Sequence, residues 1–106
     1  MMAKILIIDD DKLIRWSLSQ VFSQEDYSVD SVATAEAAVE HVMKNSYHLI
    51  ITDLEIDANN SFQMLSKIPA YQPWAKIVII SALPRKEIEP LIEGVSIYEI
   101  VEKPYS

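Results

Sequence analysis

Five short apolar runs, separated by segments of helical periodicity, constrain the fold more than any other feature of this chain. Lys4 to Ile8 (KILII), Tyr27 to Val32, His48 to Thr52 (HLIIT), Lys76 to Ile80 (KIVII) and Ser96 to Val101 all have strand length. The first, third and fourth are almost wholly apolar and rich in β-branched residues. A strand of that kind must be covered on both faces, as the central strands of a parallel sheet are. Strands alternating with helices are the signature of βα units wound around such a sheet.

The intervening segments supply the helices. From Lys12 to Ser23, the residues Ile14, Leu18, Val21 and Phe22 fall on one stripe, and Asp11 is placed to cap the start. Thr34 caps a second helix with Ala35, Ala38, Val39, Val42 and Met43 as its buried stripe, and Asn45 suits its C-terminal turn. After a loop of Asp57, Ala58, Asn59 and Asn60, a short helix carries Phe62, Leu65 and Ile68 and is expected to end at Pro69. A fourth helix between Pro84 and Glu93 is disfavoured by Pro90 in its interior, and Gly94 closes that segment. No repeat, low-complexity tract or Gly/Ser linker divides the chain, so residues 1–106 are expected to form a single domain.

Composition excludes several function classes. With 16 acidic against 9 basic residues and a net charge of −7, the field disfavours nucleic acid phosphates and anionic membrane surfaces. No nucleic acid or membrane partner is therefore expected. The absence of cysteine removes disulfides and thiolate metal sites. One Lys in the first eight residues, followed by three acids, does not make a signal peptide. The apolar runs fall short of the roughly 20 residues that a membrane span needs. The expectation is a soluble, cytoplasmic protein.

In open parallel sheets, ligands sit outside the carboxyl ends of the strands, near the point where strand order reverses. Asp9 and Asp10 follow the first run, Asp53 the third, Ser81 the fourth and Lys103 the fifth. Three carboxylates in one pocket repel one another unless a cation intervenes. Mg²⁺ (or Mn²⁺) takes oxygen ligands and keeps several waters, so it suits a few carboxylates that must also admit a phosphoryl oxygen. On this reading Asp10 and Asp53 ligate the metal directly, Asp9 acts through water, and the backbone carbonyl of Glu55 is a further ligand. Asp53 is then the nucleophile, with Ser81 and Lys103 neutralising charge on the phosphoryl oxygens. Taken singly, each residue has an ordinary explanation. Acids complement a helix N-terminus, Asp and Ser favour turns and caps, and a Lys before Pro is a solvated turn residue. Those explanations do not account for four strands all ending in residues useful to one reaction.

The segments ILIIDDD, IITDL with Asp53, IVIISA with Ser81 and VEKP with Lys103 together resemble the response-regulator receiver family over the whole chain. The intervals of 43, 28 and 22 residues from Asp10 to Asp53, Ser81 and Lys103, with the segment LIRWSL, are similar to receivers of nitrogen-regulation type transcription factors. The resemblance implies an α/β, flavodoxin-like, doubly wound parallel sheet of five strands in order 2-1-3-4-5. It implies a bacterial two-component switch phosphorylated on Asp53 by a sensor histidine kinase or phosphotransfer protein, relaying to an output domain or partner protein. Such a domain assists its own phosphorylation and dephosphorylation and is not a turnover enzyme.

The chain also departs from that pattern. Receivers usually carry an aromatic residue three positions before the Lys, where Ile100 stands here. Tyr98 is expected on the same strand face, about 7 Å further back. The acceptor loop has Asp57 and Ser61 where Pro and Gly are usual. Only five residues follow Val101, so the chain is expected to stop before a fifth helix and any output domain, with a homodimer as one way to cover the open edge. Two other functions stay in view. One is a receiver-fold interaction module that needs no phosphate. The other is a phosphohydrolase resembling the haloacid dehalogenase family and using Asp9 and Asp11, against which stand the short chain and the lack of paired acids after the fourth run. Trp16 and Trp74 read as packing or surface residues. His41 and His48 lack ligand spacing, and the scattered Met residues read as core filling.

Overall fold

A computed structural model describes residues 3–53, 58–92 and 94–102, without the side chains of residues 58–62 and 91. Its elements are β1 (Lys4–Ile8), α1 (Lys12–Gln24), β2 (Ser28–Val32), α2 (Ala35–Lys44), β3 (Leu49–Asp53), α3 (Ala58–Tyr71), β4 (Lys76–Ser81), α4 (Arg85–Ile88) and β5 (Glu99–Glu102). A 3₁₀ turn, Glu89–Ile92, continues directly from α4. All pairings are parallel and the strand order is β2-β1-β3-β4-β5, as expected. β2 lies on one side of β1 and the later strands on the other, so the order reverses between β1 and β3. The crevice of a doubly wound sheet opens there.

Both sheet faces are apolar. On one, Leu6, Ile8, Ile50, Ile77, Ile79 and Ile100 meet Ala38 and Val42 of α2, Met64, Leu65 and Ile68 of α3, and Ile88 of α4. On the other, Ile5, Ile7, Ile51 and Ile80 meet Leu18 and Phe22 of α1. Full burial of an aliphatic side chain is worth about 1.5–3 kcal/mol, so the first and larger cluster dominates the stability. The second is thinner, since α1 has no fully buried residue. It holds Asp11 at its start, where that carboxylate accepts from the backbone N–H groups of Leu13 and Ile14. Thr34 caps α2 in the same way through Ala37.

Several expectations need correcting. Pro69 does not end α3, which begins at Ala58 inside the expected loop and runs through Pro69 to Tyr71. So near the helix end, proline forgoes only one intrahelical bond, and the buried Ile68 and the Gln72 N–H to Ile68 carbonyl bond secure the last turn. A fourth helix does form, and Pro90 falls in the 3₁₀ turn that follows it, beyond the α-helical hydrogen bonding. Val21 and Met43 are exposed rather than buried. The α1 residues packed against the sheet are the i, i+4 pair Leu18 and Phe22, and Val21 lies beside them. Val42, not Met43, completes the stripe begun by Ala35 and Ala38. β5 is shorter than expected, and Tyr98 precedes it. Tyr98 is 63% exposed, with the Lys76 ammonium 4.6 Å from its ring centroid, so it does not share the buried face of Ile100.

Candidate functional site

Parallel registry delivers the acids to one point. β1 pairs with β3 from Ile5 opposite Leu49 to Ile8 opposite Thr52, so both strands finish together. Asp53 is the last residue of β3 and Asp9 the first after β1, and both are buried. Asp9, Asp10 and Asp53 each offer a carboxylate oxygen within 4.8 Å of the other two, and Asp10 is the exposed member. An all-oxygen donor set of this size suits a hard divalent cation. The Asp9 backbone N–H donates to the Val32 carbonyl at 3.1 Å, and Asp9 Oδ1 accepts the Asp11 N–H at 2.8 Å.

β4 pairs with β3 so that Asp53 lies opposite Ile80, one residue before Ser81. Ser81 is fully buried at the end of β4, and its Oγ accepts the Leu83 N–H at 3.0 Å. Three of the expected metal ligands are thus brought together, with Ser81 on the neighbouring strand end. Lys103 and Glu55 lie outside the described residues, as does Asp57.

Asp11, although adjacent in sequence, is committed elsewhere. Its Oδ1 is 2.9 Å from the Leu13 N–H and 3.4 Å from that of Ile14, which makes it a helix cap rather than a pocket acid. The histidines hold backbone groups: His48 Nδ1 accepts the Lys4 N–H, at the end of β3 opposite the acids, and His41 Nδ1 bonds the Ala37 carbonyl. Trp16 and Trp74 are both exposed.

Sequence reasoning passed over one residue of the site. Arg15 lies one helical turn after Asp11, and its Nη1 donates to the Asp9 carbonyl at 2.7 Å. Its own backbone N–H donates to the Asp11 carbonyl at 3.0 Å. The only sequence signal is an Arg four residues beyond an acidic cap, a spacing common on helix surfaces.

The family profile described as "Response regulator receiver domain" matches residues 5–106. The chain is 31% identical over 103 residues to the DNA-binding transcriptional regulator NtrC of Bradyrhizobium sp. (strain RP501 Parasponia), covering 95% of this chain and 21% of that protein. It spans between 18% and 41% of the length of the curated regulators to which it is similar. The fold is similar to that of response regulator TrrA from Thermotoga maritima, solved in complex with Mg²⁺-BeF. There the TM-score is 0.83 at 25% identity over 99% of this chain and 90% of that one. It is also similar to a Burkholderia pseudomallei response regulator with a phosphorylated aspartic acid, calcium ion and citrate. That match has a TM-score of 0.88 at 16% identity over 98% of this chain and 61% of that one.

Proposed function

The chain belongs to the response regulator receiver domain family, and on that premise we propose that residues 1–106 act as one phosphoacceptor switch in which Asp53 takes a phosphoryl group from a histidine kinase or phosphotransfer protein. The observation that carries this reading is the convergence of the Asp9, Asp10 and Asp53 carboxylates at the strand-order reversal. An Asp53 carboxylate oxygen attacks phosphorus in line with the donor imidazole. A P–O bond forms as the P–N bond breaks, and the electron pair stays on the imidazole nitrogen. The product is an acyl phosphate, which water returns to carboxylate and inorganic phosphate. Ser81 and Lys103 receive the phosphoryl oxygens. Asp10 and Asp53 would hold the cation directly, Asp9 through water, and the Glu55 carbonyl would complete the protein ligands. A bound Mg²⁺ or Mn²⁺ supplies charge neutralisation on the transferring group.

The reading is supported by the phosphorylated aspartic acid and calcium ion of the Burkholderia regulator and by the Mg²⁺-BeF complex of TrrA. Relay to an output domain or partner protein is proposed from the longer regulators to which the chain is similar. Among the described residues no helix is long and apolar enough to cross a membrane, and a cytoplasmic setting is proposed with that in view.

One observation favours a second reading, a receiver-fold module that signals without phosphate. Ile100 is built into the large core cluster where an inward-swinging aromatic is usual, and Tyr98 points to solvent. Incubation with acetyl phosphate and Mg²⁺ separates the readings. The switch predicts acid-labile phosphate on the wild type, none on Asp53→Asn and none in EDTA. No incorporation in the wild type selects the phosphate-independent module, and turnover that depends on Asp9 but persists in Asp53→Asn selects the hydrolase.

A further inference from the structure

We propose that Arg15 is a positioning residue for the divalent cation, setting the peptide between Asp9 and Asp10 and thereby the directions of both carboxylates. The proposal rests on the phosphoacceptor reading and extends it to a residue outside the ligand set.

Three successive peptides carry the acidic segment, and each is held by a different partner. The peptide entering Asp9 donates its N–H to the Val32 carbonyl. The peptide entering Asp11 donates to Asp9 Oδ1. The peptide between Asp9 and Asp10 is held by the Arg15 guanidinium on its carbonyl oxygen at 2.7 Å, in a partly buried position. A peptide is planar, so fixing its carbonyl fixes the rotation of the whole unit and the Cβ direction of the residue on either side. A charged donor at this distance makes a short, strong bond. Arg15 also holds the far end of the segment, because its backbone N–H donates to the Asp11 carbonyl at 3.0 Å.

The direction of the guanidinium matters as much as its presence. The ion pairs among the described residues, Lys4 with Asp30 and Arg85 with Glu99, do not include Arg15, whose guanidinium is placed on the Asp9 carbonyl instead. A positive group beside a cation site repels the cation. Loss of charge alone would therefore tighten metal binding, whereas loss of positioning would weaken it. The two effects have opposite signs, and the sign decides between them.

The test is a Mg²⁺ titration of the ¹⁵N-labelled protein, following the backbone amide shifts of Asp9 to Asp11, with the metal-free melting temperature as a control for folding. Arg15→Gln is expected to raise the Mg²⁺ dissociation constant about three- to tenfold, the net worth of one ordinary hydrogen bond, with little change in metal-free melting. Arg15→Lys, which keeps the charge and a donor, is expected to recover part of the loss. A dissociation constant equal to or below that of the wild type in Arg15→Gln overturns the proposal and leaves the phosphoacceptor reading standing. Should Arg15→Gln fail to fold, Arg15→Lys decides: a loss of about twofold or more supports positioning, and a wild-type constant overturns it. A wild-type protein that binds no Mg²⁺ at all overturns the phosphoacceptor reading and this inference with it.

Discussion

Asp9 and Asp53, at the ends of adjacent parallel strands, are both buried and bring carboxylate oxygens within 4.8 Å of each other. Like charges held this close favour a bound cation, and a ligand that binds only the native state stabilises it by mass action. Mg²⁺ at ten times its dissociation constant is expected to add about 1.4 kcal/mol, a rise in melting temperature of roughly 6–11 °C for a domain of this size. In Asp10→Asn and Asp53→Asn the rise is expected to shrink to a small fraction. Thermal melts with and without Mg²⁺ at constant ionic strength check this.

Thr52 sits in β3 beside Asp53, fully buried, and its hydroxyl has no hydrogen-bond partner among the described residues. A buried hydroxyl without a partner carries an uncompensated desolvation cost. Thr52→Val keeps the branched shape and removes the hydroxyl, so it is expected to stabilise the protein by about 1 kcal/mol in a denaturant titration.

At the opposite pole of the sheet, the fully buried Tyr47 donates its hydroxyl proton to Asp30 Oδ2 at 2.7 Å. Burial, with the hydrogen bond and the charge of Asp30, raises the Tyr47 pKa above its ordinary value of 10.0. The native state therefore keeps a proton that the unfolded chain loses above pH 10. The contribution to stability is complete below that pH and is lost as pH rises through the higher folded value. Tyr47→Phe is expected to cost about 1 kcal/mol at neutral pH. The wild type should then lose its advantage over Tyr47→Phe as denaturant melts are carried above pH 10.

Much of this architecture was legible in the sequence because parallel strands covered on both faces leave an unmistakable apolar run. KILII and KIVII mark the start of β1 and β4 without error, and the acids and hydroxyl at the strand ends follow from them. The helices were less legible where one residue was given too much weight. Proline argues against a helix interior, yet Pro69 and Pro90 stand where few backbone bonds depend on them. Val21 and Met43 are apolar but lie off the ladders that touch the sheet, a distinction of one position that periodicity alone does not resolve. Arg15 could not be read at all, because its partner is a backbone carbonyl, which has no identity in a sequence.

The central claim is that Asp53, and not one of the acids clustered near it, accepts the phosphoryl group. Its most direct test is borohydride reduction of the protein after treatment with acetyl phosphate and Mg²⁺, which converts an aspartyl phosphate to homoserine, followed by peptide sequencing by mass spectrometry. The account predicts homoserine at position 53. Homoserine at position 9, 10 or 11, or at none of them, would contradict it.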